Sequence, residues 1–326
     1  MPLNEARVVP AVVAPKVVAK YFDLGPNPLT LRLLAIQAVL LLVVIAAYQQ
    51  LGLSLAWETF LPVLPLPIMV FAIWLYYFCF PGRPSEWKIP QTLFVFGILL
   101  LLARIVSVGQ YAAGAMNRPT IDALLAAADA RLGIHVPSLA AWTREHPQVN
   151  TVLLYAYESF VVQLTLTVPI IGLLLSDRRA LMEYAFHFHF CAIVTLVCFA
   201  LFPAACAFSY YDFTSTFDQS RFITQFNGLR SGALTVIRLD DLEGLVSMPS
   251  FHVAGGMFVT WTFRRHRLFL IPLIVLNAGL VTATFMSGTH YVVDAIGTLL
   301  MFTISVLIYR AWAEPLLNGQ SRRKLV

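Results

Sequence analysis

Charge is scarce in this chain. Asp, Glu, Lys and Arg together make up 12% of the residues while 59% are hydrophobic, against about 25% charged in an ordinary soluble domain. That balance excludes a soluble globule and points to a polytopic membrane protein, since one crossing helix needs about 20 mostly apolar residues and several such runs are present. Cysteine is scarce too. Cys79, Cys191, Cys198 and Cys206 lie in or beside apolar runs without a Cys-x-x-Cys pair, which argues against a disulfide framework or a thiolate metal site. The formal charge of +5 comes from basic residues scattered through short loops and termini, so nucleic acid is not an expected partner. Residues 1 to about 30 carry five prolines and no uninterrupted apolar core before a small-residue cleavage site, which argues against a removed signal peptide. No internal repeat and no pair of broken spans is visible, which disfavours a transporter relaying protons through its histidines.

The apolar runs predict an all-α fold, a polytopic membrane helix bundle of about eight transmembrane helices, near 32–51, 61–80, 91–109, 149–176, 180–206, 249–264, 268–287 and 289–312. Alternating loops then put fifteen basic residues on one face: Arg7, Lys16, Lys20, Arg32, Arg83, Lys88, Arg178, Arg179, Arg264, Arg265, Arg267, Arg310, Arg322, Arg323 and Lys324. Arg118, Arg131, Arg144, Arg221, Arg230 and Arg238 fall on the other, with Arg104 near its edge. Positive-inside reasoning makes the first face cytoplasmic and places both termini there.

Two segments on the outer face exceed a simple turn. Residues 110–148 hold a helical stretch, Ile121 to Gly133, suited to the membrane interface; its Asp122 and Asp129 share one face and read as solvated. Residues 207–248 are rich in aromatic and polar side chains, and their place just before His252 makes them the expected cover of a site. Asp240, Asp241 and Glu243 read as solvated loop acids, so neither a metal nor another cofactor is expected. His187 and His189 read as packed histidines; Gly255, Gly256 and Gly279 read as points of close helix approach.

The polar signatures carry the chemistry. Ser247-Met248-Pro249-Ser250-Phe251-His252 opens one apolar segment, and Gly288-Thr289-His290-Tyr291-Val292-Val293-Asp294 opens another. Ionisable groups there cost free energy unless they have partners. His290 and Asp294 are i and i+4, so one helical turn lets the carboxylate accept the proton of one imidazole nitrogen and leaves the other as a directed lone pair. Such an imidazole can attack phosphorus. His252, at the other outer helix head, is placed to protonate the departing oxygen. Ser247 or Ser250 would cap one helix, and Gly288 with Thr289 would open the second, so two N-termini could cradle phosphate between them. From His252 to Arg264 there is helix for only ~18 Å. Either His252 lies below the surface or that helix continues through His266.

Pro249-Ser250-Phe251-His252 resembles the second signature, and His290-x-x-x-Asp294 with Gly288 and Gly297 the third, of the type 2 phosphatidic acid phosphatase superfamily, over about residues 118 to 300. The Met-Pro-Ser-Phe-His and His-Tyr-Val-Val-Asp forms look most like its inositol phosphorylceramide synthase branch. The resemblance implies a phosphohistidine at His290, Asp294 as its orienting partner and His252 as general acid. It implies a catalytic membrane domain over 110–312, after a cytoplasmic segment 1–31 and N-terminal helices over 32–109, with a basic tail over 313–326. It also implies a lipid phosphate or phospholipid substrate, and leaves the oligomeric state open. Three positions depart from the family, one of them Ala283 where a serine is usual. Thr284 stands where an arginine is usual, and Tyr111 where the first signature has lysine ahead of Asn117-Arg118-Pro119. Another cation is then required at the phosphate, and Arg230, between Gly228 and Gly232, is expected to supply it, with Arg118 as second choice beside Ser250 and Gly288.

Overall fold

The computed structural model describes residues 27–80 and 88–317. Arg7, Lys16, Lys20, Arg83, Arg322, Arg323 and Lys324, seven of the residues behind the expected sidedness, lie outside the described residues, as do most of the segment 1–31 and of the tail 313–326.

Helix α1 (Pro28–Leu51) starts where local chemistry dictates. Asn27 accepts the N–H of Thr30 at 3.0 Å, the Thr30 hydroxyl accepts the N–H of Asn27 at 2.8 Å, and Pro28 occupies a position that needs no donor. A two-residue strand β1 (Ser54–Leu55) follows and pairs in parallel with β2 (Val236–Ile237), tying the first interhelical loop to the long segment ahead of His252. Then come α2 (Pro65–Cys79), α3 (Lys88–Ala115), two short helices α4 (Asp122–Arg131) and α5 (Val136–Glu145), α6 (Pro147–Pro169) and α7 (Arg178–Leu201). The one-turn α8 (Ala207–Tyr210) and α9 (Ser220–Ser231) lead to α10 (Phe251–Thr262), α11 (Arg267–Met286) and α12 (Val292–Ile308).

The all-α membrane bundle is there, with six or seven candidate spans among the described residues beside the eight expected. Among the described residues six helices are long and apolar enough to cross a bilayer, and a seventh span arises if Trp57–Val63 and Pro65–Tyr77, bent by 53°, count as one. The expected span at 249–264 is α10, only 12 residues long, or ~18 Å against a ~30 Å hydrocarbon core. It forms because it is walled by protein. Val253, Ala254 and Phe258 are fully buried, the last two in one cluster with Leu102 of α3 and Tyr184 of α7. His252 is therefore recessed, and the chain turns before Arg264 without extending the helix through His266.

Helix contact in lipid gains little from the hydrophobic effect and depends on close packing. A Cβ on Gly255 would come within 2.2 Å of Phe160 on α6, one on Gly256 within 3.1 Å of Asn277 on α11, and one on Gly279 within 3.2 Å of Ala156. These three glycines are the points of close approach their positions suggest. Successive long helices alternate in direction, so the starts of α10 and α12 share one end of the bundle with α4, α5 and α9. The starts of α7 and α11 share the opposite end.

Candidate active site

His290 sits in the turn between α11 and α12, and three hydrogen bonds shape that turn. The Thr284 carbonyl accepts the N–H of His290 at 3.0 Å and the hydroxyl of Thr289 at 2.8 Å, and the Gly288 carbonyl accepts the N–H of Phe208 at 3.0 Å. Gly288 has φ +87°, and a Cβ there would lie 2.6 Å from the Phe213 ring. Only glycine fits the turn. Thr284, at the position expected for arginine, is buried; its hydroxyl donates to the Val281 carbonyl within α11, and its own carbonyl accepts from the turn.

The His290–Asp294 pair forms as the spacing requires, with Nδ1 of the imidazole 3.2 Å from Oδ2 of the carboxylate. A carboxylate acceptor fixes the proton on Nδ1 and leaves Nε2 as the lone pair, which lies 3.3 Å from the Ser250 hydroxyl. Asp294 is fully buried, and its Oδ2 also accepts from the Ser247 hydroxyl and from the N–H of Tyr291, each at 3.0 Å. Ser250, not Ser247, caps α10, accepting the N–H of Val253 at 3.4 Å. Ser247 holds the carboxylate instead. The N–H of Ser250 donates to the Thr298 hydroxyl at 2.9 Å, which fastens the start of α10 to α12.

His252 has a different environment. Its ring stacks on Tyr157 at 4.4 Å and 17° and lies 4.4 Å from the Phe160 ring, so α6 fixes the plane of the imidazole without occupying its nitrogens. His252 and His290 line one cavity of about 340 Å³. Ser107 and Gln110 of α3, Thr195 of α7, Thr289 and Cys206 also contribute to its wall. Burial pushes the Cys206 thiol well above its ordinary range, so it lines the cavity as a neutral group. The segment 207–248 covers the cavity through Gln219, Phe222, Gly244 and Val246. That cover is pinned from α3. Gln110 donates to the Glu243 carbonyl at 2.7 Å and accepts the N–H of Leu245 at 2.9 Å, while the Tyr111 hydroxyl accepts the N–H of Glu243 at 2.7 Å and bonds Gln225. Tyr111, at the expected lysine position, is a loop anchor.

Three expectations change. First, Arg230 does not lie in a glycine loop folded inward; it is in the last turn of α9, its guanidinium 5.4 Å over the Phe226 ring and donating to the Arg118 carbonyl at 2.9 Å. An aromatic ring one turn earlier captures the cation, and neither Arg230 nor the exposed Arg118 lines the cavity. Among the described residues that do, there is no Lys or Arg.

Second, the α12 N-terminus is not open to a ligand. Asp129 accepts the N–H groups of Val292 at 3.0 Å and Val293 at 2.9 Å, so a carboxylate from α4 caps α12 in trans. Gly288 therefore shapes the turn and does not begin a phosphate-binding helix. The first N–H groups of α10, those of Phe251 and His252, have no partner within the helix, and both residues face the cavity.

Third, Asp122 and Asp129 are not solvated; each is 1% exposed. Asp122 accepts the Tyr291 hydroxyl at 3.0 Å and the N–H of Ala205 at 2.9 Å. The two acids thus hold Tyr291, Val292 and Val293, the residues that directly follow His290. Burial pushes the Asp129 carboxyl above its ordinary value, although the two backbone donors favour the charged form. The only sequence signal for this role is that the two acids are seven residues apart on one face of a helix with few other charges.

A family model described as the PAP2 superfamily matches residues 123–308, more than half of the chain. No curated protein and no solved structure matches. The matched region begins in α4, beside the braces of the catalytic turn, and runs through both signature histidines to the end of α12. The chain belongs to the PAP2 superfamily of membrane phosphoesterases.

Proposed function

We propose that this chain is a phosphotransferase that moves a phospho-headgroup from a phospholipid to a lipid or sugar alcohol through a phosphohistidine at His290, as in the inositol phosphorylceramide synthase-like branch. Superfamily membership supports a lipid phosphatase-type phosphoesterase; the observation that carries the finer reading is the lining of the cavity. A phosphomonoester brings about −1.5 to −2 charge near neutral pH and asks for guanidinium or ammonium groups around it. A phosphodiester brings a single negative charge. The polar groups of a largely apolar wall are hydroxyls, amides, a thiol and two imidazoles, and with the open N-terminus of α10 beside them they suit the diester.

In the first step the Nε2 lone pair of His290 attacks phosphorus, the bond from phosphorus to the departing lipid oxygen breaks, and protonated His252 gives that oxygen its proton. Asp294 stabilises the imidazolium as the N–P bond forms. In the second step the acceptor hydroxyl gives its proton to His252 while its oxygen attacks phosphorus, and the N–P bond breaks. The cover over residues 207–248 keeps water from competing. The alternative, a lipid phosphate phosphatase, uses the same two steps with water as acceptor. The proposed setting is a plasma or inner membrane, with both termini cytoplasmic and the histidine end facing the periplasm or exterior, supported by the basic residues Arg178, Arg264, Arg265, Arg267 and Arg310 at the opposite end.

The test is reconstituted protein supplied with a headgroup-labelled phospholipid and a lipid alcohol. Label in a new lipid, dependent on His290, is the expected result. Water-soluble label with no new lipid would assign hydrolysis.

A further inference from the structure

At the end of the bundle away from the histidines, α10, α11 and α12 enclose a groove of about 880 Å³, more than twice the catalytic cavity. Its walls are apolar, with Met257, Leu270, Ile274 and Leu299 among them, and Arg264 and Arg310 stand at one end. Along α11 it runs from Leu270 to Thr282, ~18 Å at the helical rise, close to the ~15 Å of one leaflet in a ~30 Å core. Its depth matches one layer of acyl chains, and its cations lie where that layer meets its headgroups.

The charges there are unevenly satisfied. Glu183 takes Arg264 at 2.8 Å, Asp177 takes His266 at 3.1 Å, and Glu314 takes Arg179. Among the described residues no hydrogen bond or ion pair engages Arg310, or Arg265 and Arg267 at the head of α11, and all three are exposed. Inside the groove Asn277 is 5% exposed, and its Oδ1 has no donor. A second copy of the chain is a poor occupant. Two-fold symmetry about the membrane normal would set the arginines of one copy level with those of the other.

We propose that this groove is a binding site for one anionic phospholipid of the leaflet opposite the catalytic cavity, its phosphate held by Arg310 and its acyl chains lying along α11 and α12. Arginine suits this, because its stem lies along apolar surface while its head meets the phosphate. The site is separate from the chemistry at His290 and does not depend on it.

The test is native mass spectrometry of the purified full chain exchanged into neutral detergent with equal phosphatidylglycerol and phosphatidylcholine of the same acyl composition. Wild type should retain one phosphatidylglycerol in preference to phosphatidylcholine. Arg310→Gln should lower that retention about fivefold, the ratio that about 1 kcal/mol per interfacial arginine gives. Ala278→Trp, at an exposed position within the groove, should lose the lipid while keeping its unfolding temperature. Equal retention of both lipids by wild type, or no change in Arg310→Gln, overturns the proposal. So does loss of the bound lipid in His290→Ala with retention in Arg310→Gln, which would place it in the catalytic cavity. A wild-type dimer that becomes monomeric in Ala278→Trp with no change in bound lipid would assign the groove to a second copy and equally overturn it.

Discussion

Replacing Asp129 tests how the fold holds the catalytic turn, because that side chain touches neither histidine. In the wild type its carboxylate accepts two backbone N–H groups at the head of α12, those of Val292 and Val293. Asp129→Ala removes a side chain only 1% exposed and leaves two partly buried donors without that acceptor. Loss of a cap costs about 0.5–2 kcal/mol and a buried unsatisfied donor about 1–3, so about 2 kcal/mol is expected for the site. The first turn of α12 carries Asp294, so the cost falls on the 3.2 Å bond that orients His290. If it is expressed as misplacement of that pair, turnover drops ~30-fold. Asp129→Asn keeps one acceptor oxygen and should recover part of the loss.

The pH response separates both variants from the wild type, because neither alanine nor asparagine ionises. The folded carboxyl lies above its ordinary 3.8, so its contribution to stability is fully present below that value and is lost as pH rises through the raised one. Both variants remove that slope. Turnover of labelled phospholipid and thermal unfolding in detergent read the two effects. An Ala variant within twofold of wild type in turnover, with an unchanged unfolding midpoint, refutes the idea that α4 braces the turn.

Ser247→Ala removes one of three donors to Asp294 Oδ2; a hydrogen bond to a charged group is worth about 1.5–3 kcal/mol, so kcat should fall about ten- to a hundredfold, with recovery in Ser247→Thr. Kinetics of the two variants check this, and an unchanged kcat in Ser247→Ala would remove the serine from the orienting network. Gly288→Ala puts a side chain at φ +87° and 2.6 Å from Phe213, so the melting temperature should fall by several degrees; an unchanged midpoint would show that the turn has room to relax.

How much of this was legible depended on the separation of the partners. His290 and Asp294 are one helical turn apart, so their hydrogen bond follows from spacing alone, and the pairing of both histidines in one cavity follows from their place at two helix heads. The length of α10 was legible as arithmetic, though which of the two resolutions held was not, because that depends on neighbours that bury Val253 and Phe258 on every side. The Asp129 cap was not legible. Its partners lie more than 160 residues away, and a short helix with two acids looks the same whether those acids face water or another helix. Arg230 failed for a local reason that was visible in hindsight: Phe226 precedes it by one helical turn, a spacing that forms a ring–cation contact if 220–231 is helical, whereas the flanking glycines suggested a loop. The departures at Tyr111 and Thr284 were read as missing charge. In the structure they are a tyrosine bonded to a backbone N–H and an amide and a threonine whose hydroxyl bonds the Val281 carbonyl, which turns the question from where the cation went to how much charge the substrate brings.

The covalent intermediate is the point on which the chemistry rests. Purified protein mixed with a phospholipid carrying labelled phosphorus, quenched in alkali within one turnover and mapped by mass spectrometry, should show the labelled phospho-headgroup on Nε2 of His290. Label should be absent in His290→Ala and should form more slowly in His252→Ala, which lacks the acid for the departing oxygen. Turnover by wild type with no label at His290, or near-normal turnover in His290→Ala, would contradict a phosphohistidine mechanism.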